Sequence, residues 1–157
     1  MSLAVSLAKK ILVVRLGGKD VKTYTVAVGS PNHQSPQGHY SIRHIVWNPA
    51  WAPPKAAWAK GKKPTPSNHS KNPMKVVKIF FKEPDYYIHG TADEESLGDA
   101  ASHGCIRMTE ADVATLARYL MEQGGKPQSD SWFSAVIDGG KTADVHLPKA
   151  IPIVLGP

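Results

Sequence analysis

Chain breakers set the first limit on this fold, because thirteen glycines and thirteen prolines divide 157 residues into short runs. That usage favours a turn-rich, mostly β protein over a helical bundle. The apolar run at residues 11–16, the Gly17-Gly18 pair, and residues 21–28, where Tyr24, Val26 and Val28 alternate with polar or small residues, predict a β-hairpin. Pro36-Gln37-Gly38 is turn chemistry, and residues 39–46 predict a third strand. Residues 76–81 and 86–89 predict two more, and residues 145–147 and 151–155 close the chain as short strands. Only one long helix is predicted. Thr109 and Asp112 form its capping-box-like start, Val113, Leu116, Ala117, Leu120 and Met121 recur at helical spacing, and Gly124 ends it. A shorter helix is predicted from Ser129 or Asp130, with Phe133, Val136 and Ile137 on one face and Gly139-Gly140 as its stop. The expectation is a mostly β (α+β) fold in a single domain over residues 1–157, without internal repeats.

Residues 47–73 break this rhythm, being rich in proline and lysine with no sustained period. So long a segment predicts a lid or binding loop, spanning about residues 47–75. Its tryptophans, Trp47, Trp51 and Trp58, are expected to fold it onto the body of the domain or to line a cleft.

The formal charge of +6 is unevenly placed. No acid occurs from Val21 to Lys82, whereas eight lysines fall between Lys55 and Lys82, and ten acids face three bases from Glu83 to Asp130. Such a basic stretch suits a solubilising loop or an anionic matrix. No nucleic-acid-binding motif accompanies it. No apolar run approaches the length of about 20 residues that spans a membrane. The first eight residues lack the basic start and the length of a complete signal peptide.

Cys105 is the only cysteine. It cannot form an internal disulfide, so its best use is chemical. A nucleophilic thiol needs a base to release its proton and backbone N–H groups to hold developing oxyanion charge. In Ser102-His103-Gly104-Cys105-Ile106 the glycine permits a tight turn, expected to lie between a strand and the following helix. Two histidines compete as base. His103 is adjacent in sequence, but two residues apart on an extended segment do not face each other. His89, in Tyr87-Ile88-His89-Gly90-Thr91, comes from another strand and is the preferred base. A paired imidazole is expected to draw the thiol below its free pKa of about 8.5. The Gly90 carbonyl is positioned to accept from the distal imidazole nitrogen and fix its tautomer. Ser102 either supports this network or serves the turn. Arg107 offers a bidentate anchor for a substrate carboxylate, or a surface ion pair with Asp93, Glu94, Glu95 or Asp99.

These residues, Ile88-His89-Gly90-Thr91 followed by Ser102-His103-Gly104-Cys105-Ile106-Arg107-Met108, resemble the signature of L,D-transpeptidase catalytic domains of the YkuD type. Ser35-Pro36-Gln37-Gly38-His39-Tyr40, Asn48-Pro49-Ala50-Trp51 and Asn72-Pro73-Met74 resemble further elements of that family. The likeness runs from about Leu7 to Leu155. It departs at Lys75, where many relatives have glycine, and at Pro66-Ser67-Asn68-His69, which replaces a glycine-containing turn.

The resemblance implies a β sandwich or barrel-like domain acting on peptidoglycan stem peptides in the cell envelope or periplasm, with no metal or organic cofactor. It implies Cys105 as nucleophile, His89 as base, Gly104 and Cys105 N–H groups as oxyanion donors, and supporting roles for Gly90 and Ser102. It further implies that Arg107, His103, Tyr87 and Thr91 bind substrate. The acceptor would be a second stem, an envelope lipoprotein or, in an L,D-carboxypeptidase, water. Two rival readings are a zinc hydrolase built on His89, His103 and Cys105 with His39 and His44 in reserve, and a non-catalytic wall-binding domain. The zinc reading lacks any Cys-x-x-Cys or His-Glu-x-x-His spacing.

Overall fold

A computed structural model describes residues 1–50, 61, 63 and 75–157. Among these residues, ten strands and two α-helices follow in chain order: β1 (Ser2–Ser6), β2 (Ile11–Leu16), β3 (Lys19–Thr25), β4 (Val28–Gly29), β5 (Gly38–Trp47), β6 (Lys75–Lys82), β7 (Tyr86–Thr91), β8 (Ala100–Ser102), β9 (Ile106–Thr109), α1 (Glu110–Gln123), α2 (Asp130–Gly139) and β10 (Ala143–Gly156). Eight strands form one near-barrel sheet in the order β3-β2-β1-β10-β5-β6-β7-β9, while β4 and β8 make a small parallel pair. The mostly β expectation holds.

The β2–β3 hairpin forms where the sequence places it. Gly17 and Gly18 both take positive φ, 58° and 79°, as a tight two-residue connection of right-twisted strands requires. The second strand ends earlier than expected. The backbone leaves β3 after Thr25, and Val28 pairs with Ala100 in the small sheet instead. The two predicted C-terminal strands are one, β10, which antiparallel β5 follows along its length with a register break between His146 and Ile151. Trp47, placed by its sequence in a lid, ends β5 in the core at 1% exposure, its ring edge-on to Phe133 of α2. Asn48 follows at φ 48°, and its Nδ2 donates to the Val136 and Lys141 carbonyls at the C-terminal end of α2. Trp51, Trp58, Pro66-Ser67-Asn68-His69 and Asn72-Pro73-Met74 lie outside the described residues.

Register explains how the site is carried. Val145, Ile45, Ile79, Ile88 and Ile106 are direct neighbours across β10, β5, β6, β7 and β9, and all are buried. This β-branched row faces α1, whose Val113, Leu116, Ala117, Leu120 and Met121 are buried in the same core. Each such side chain contributes about 1.5–3 kcal/mol on burial. Because side chains alternate across a strand, the flanking positions share the opposite face. One flanking row holds His146, His44, Phe80 and Tyr87, and the other Asp144, Val46, Lys78, His89 and Arg107.

Candidate active site

Cys105 lies between β8 and β9, at the margin of this second face. The expected strand-to-helix turn is a strand-to-strand turn: β9 intervenes before α1. Gly104 has φ 117°, and a Cβ there would stand 2.8 Å from Tyr86 Cε1, so both backbone and space exclude larger residues. Buried Ser102 fastens the turn. Its hydroxyl donates to the Cys105 carbonyl at 2.5 Å and accepts from the Gly104 N–H at 3.1 Å. Ser102 therefore serves the turn, and the Gly104 N–H is engaged by it, contrary to its expected place as an oxyanion donor. The half-buried thiol packs against Tyr87, and Sγ donates to the Asp85 carbonyl at 3.4 Å.

His89 projects from the neighbouring strand β7, and the Tyr87 ring touches both it and the thiol; the Tyr87 and His89 rings are 5.7 Å apart. Nδ1 of His89 lies 2.8 Å from the Gly90 carbonyl oxygen, which can only accept, so Nδ1 carries the proton and Nε2 the lone pair. Burial pushes the imidazole down to about 4, helped by the charges of Arg107 and Lys78 and opposed by the Gly90 bond. Burial likewise pushes the Cys105 thiol up to about 11, outweighing hydrogen bonds from Tyr87 and the charges of Lys78 and Arg107. The environment thus works against the expected lowering of the thiol pKa. Both shifts favour the neutral forms, thiol and imidazole, at neutral pH.

Lys78 is the member that sequence reading missed. It is directly opposite His89 across β6 and β7, with Nζ 4.7 Å from the Tyr87 ring centroid. Burial lowers its pKa. The only clue was a lysine inside an otherwise apolar strand. Arg107 pairs in register with His89 from the other side, and no carboxylate among the described residues forms an ion pair with it, so the surface-pair alternative fails.

The remaining expected residues are distributed differently. Tyr87 is buried at the centre of the cluster, where burial and the nearby sulfur raise its pKa. His103 is exposed and its ring lies 4.9 Å from His33. Thr91, two residues beyond His89 on β7, is 8% exposed, and its Oγ1 accepts from the Asp93 N–H. His39 is exposed on β5, and His44 sits farther along the face, between Glu83 and Asp144. The zinc set proposed around Cys105 does not draw these two histidines in.

Comparison with known proteins agrees with this arrangement. A family profile described as YkuD, L,D-transpeptidase catalytic domain, matches residues 2–137. YkuD of Bacillus subtilis (strain 168) is 34% identical over 115 residues, covering 73% of this chain and 57% of that protein. YqjB of the same strain is 34% identical over 110 residues, with 67% and 57% covered. The chain thus spans little more than half the length of these relatives. An L,D-transpeptidase from Mycobacterium smegmatis superposes with a TM-score of 0.62 at 12% identity, covering 99% of this chain and 58% of that one. The catalytic domain of the E. faecium L,D-transpeptidase gives 0.57 at 13%, covering 99% and 95%. The structural likeness speaks for the fold, and the sequence matches carry the assignment: the chain belongs to the YkuD family of L,D-transpeptidase catalytic domains.

Proposed function

We propose that this is a single catalytic domain that transfers acyl groups of peptidoglycan stem peptides through Cys105. The observation that carries the reading is the His89 tautomer, which leaves Nε2 as an acceptor on the face that also bears the thiol. His89 takes the thiol proton as sulfur adds to the carbonyl at the L-centre of the diamino acid in a tetrapeptide stem. The C–N bond to D-alanine breaks, the proton passes to the departing amine, and a thioester remains. An incoming amine adds to that thioester, gives a proton back to His89, and the thiol returns. With the Gly104 N–H held by Ser102, the Cys105 N–H is the oxyanion donor of this turn. Such a donor is worth about 2.7–4 kcal/mol in the transition state. Arg107, across His89 from Lys78, holds the substrate carboxylate.

An amine of a second stem is the proposed acceptor, with an envelope lipoprotein or water as alternatives on the same thioester. The cell envelope is the proposed location, where the lysines between Lys55 and Lys82 suit an anionic wall. Intact-mass spectrometry after incubation with a carbapenem, an acylating mimic of the stem, tests the thiol. One covalent adduct is expected on the wild type and none on Cys105→Ala. An adduct on the variant would overturn the assignment. Muropeptide products then distinguish crosslinking from lipoprotein attachment and D-alanine release.

A further inference from the structure

The far end of the same face carries a second set of chemistry-bearing side chains. His44 on β5 and His146 on β10 are direct cross-strand neighbours, and their rings stack at 4.5 Å with 10° between planes. Asp144, two residues before His146, shares their face, and its Oδ1 meets His44 Nε2 and lies 3.4 Å from His146 Nε2. One ligand atom from each of the three lies within 4.8 Å of the others. Glu83 accepts at the opposite ring nitrogen, Nδ1 of His44, and Phe80 stacks beneath the His44 ring at 4.8 Å.

We propose that His44, Asp144 and His146 bind a divalent transition-metal ion of the zinc class. Two imidazoles and a carboxylate select such an ion over magnesium or calcium, which prefer all-oxygen ligands. Asp144 Oδ1 already stands at ligand spacing from His146 Nε2; coordination through bonds of about 2.0–2.2 Å requires Asp144 to part from His44 Nε2 and the stacked imidazoles to tilt towards a common point. His146 and Asp144 supply that adjustment, with side chains 72% and 59% exposed, while His44 is held by Phe80 and Glu83. The ion replaces the proton between His44 Nε2 and Asp144 Oδ1. Nδ1–H continues to donate to Glu83, the carboxylate–histidine arrangement that orients a metal-bound imidazole. Three protein ligands leave a coordination position open towards solvent. Three strand spacings, about 14 Å, separate β5 from β9, so the ion is no partner of the Cys105 sulfur.

Titration calorimetry of the full chain with zinc chloride tests this, alongside magnesium chloride. One zinc per chain is expected for the wild type and equally for Cys105→Ser, with no magnesium binding. His146→Ala and Asp144→Asn should each weaken zinc at least tenfold, and Glu83→Gln about tenfold. Melting in chelator checks folding: the exposed-site variants should match the wild type there, and zinc should raise the melting temperature of the wild type and of Cys105→Ser but not of the His44→Ala/His146→Ala double variant. Absence of saturable zinc binding, its loss in Cys105→Ser, or its survival unchanged in a His44→Ala/His146→Ala double variant would overturn the proposal. Because Cys105→Ser abolishes thiol acylation but spares the metal, failure of this site and failure of the acyl-transfer reading give different results.

Discussion

His89 has one ring nitrogen committed to its own chain and the other left for chemistry, which makes its removal a sharp experiment. His89→Ala should slow carbapenem acylation by about 10²–10⁴-fold, the usual contribution of a positioned base, in a stopped-flow or mass-resolved time course. A variant acylating at the wild-type rate would move the role to His103. The thiol itself, raised to about 11 by burial, should resist iodoacetamide at neutral pH and gain reactivity only as pH climbs well past 9. The His89–Gly90 bond and the glycine turn before Cys105 were legible in sequence because each depends on local chain. Lys78 was not legible, since its place beside His89 exists only through the β6–β7 register. The bond from the Asp93 N–H to Thr91 Oγ1 was likewise not foreseen from sequence.

The helices were readable because caps and periodicity are local signals. Thr109 Oγ1 accepts from the Asp112 N–H at 3.0 Å and starts α1 where expected. Thr109→Ala should therefore cost about 1 kcal/mol in urea unfolding, with Thr109→Ser nearly neutral. Gly140, at φ 66°, likewise closes α2 as foreseen. Strands were harder. β1 was passed over because the first eight residues were weighed only against a signal peptide, which they did not match, and only pairing with both β2 and β10 makes residues 2–6 a strand. β9, four residues long, is too short to stand out in sequence from the turn that precedes α1. β10 was read as two pieces because Pro148 and Pro152 interrupt it, though the sheet carries the chain through by shifting register.

Across the whole molecule, burying a neutral histidine ties stability to pH. The unfolded chain takes a proton on His89 near pH 6.5, whereas the folded one refuses it until about 4. Stability from this residue is intact above pH 6.5 and falls as pH drops through that window, by about 3 kcal/mol in all. Urea midpoints at pH 7 and pH 4 should show the loss in the wild type and a smaller one in His89→Gln. Sheet order carries a different consequence. β10 is the seam between β1, β2 and β3 on one side and β5, β6, β7 and β9 on the other, pairing parallel to β1 at residues 153–156. A nascent chain emerging from the ribosome thus holds the cysteine, the histidine and both cations long before the seam can be sewn. Maturation of the cleft waits for residues 143–156, so a chain cut short of them would be born chemically equipped yet architecturally inert.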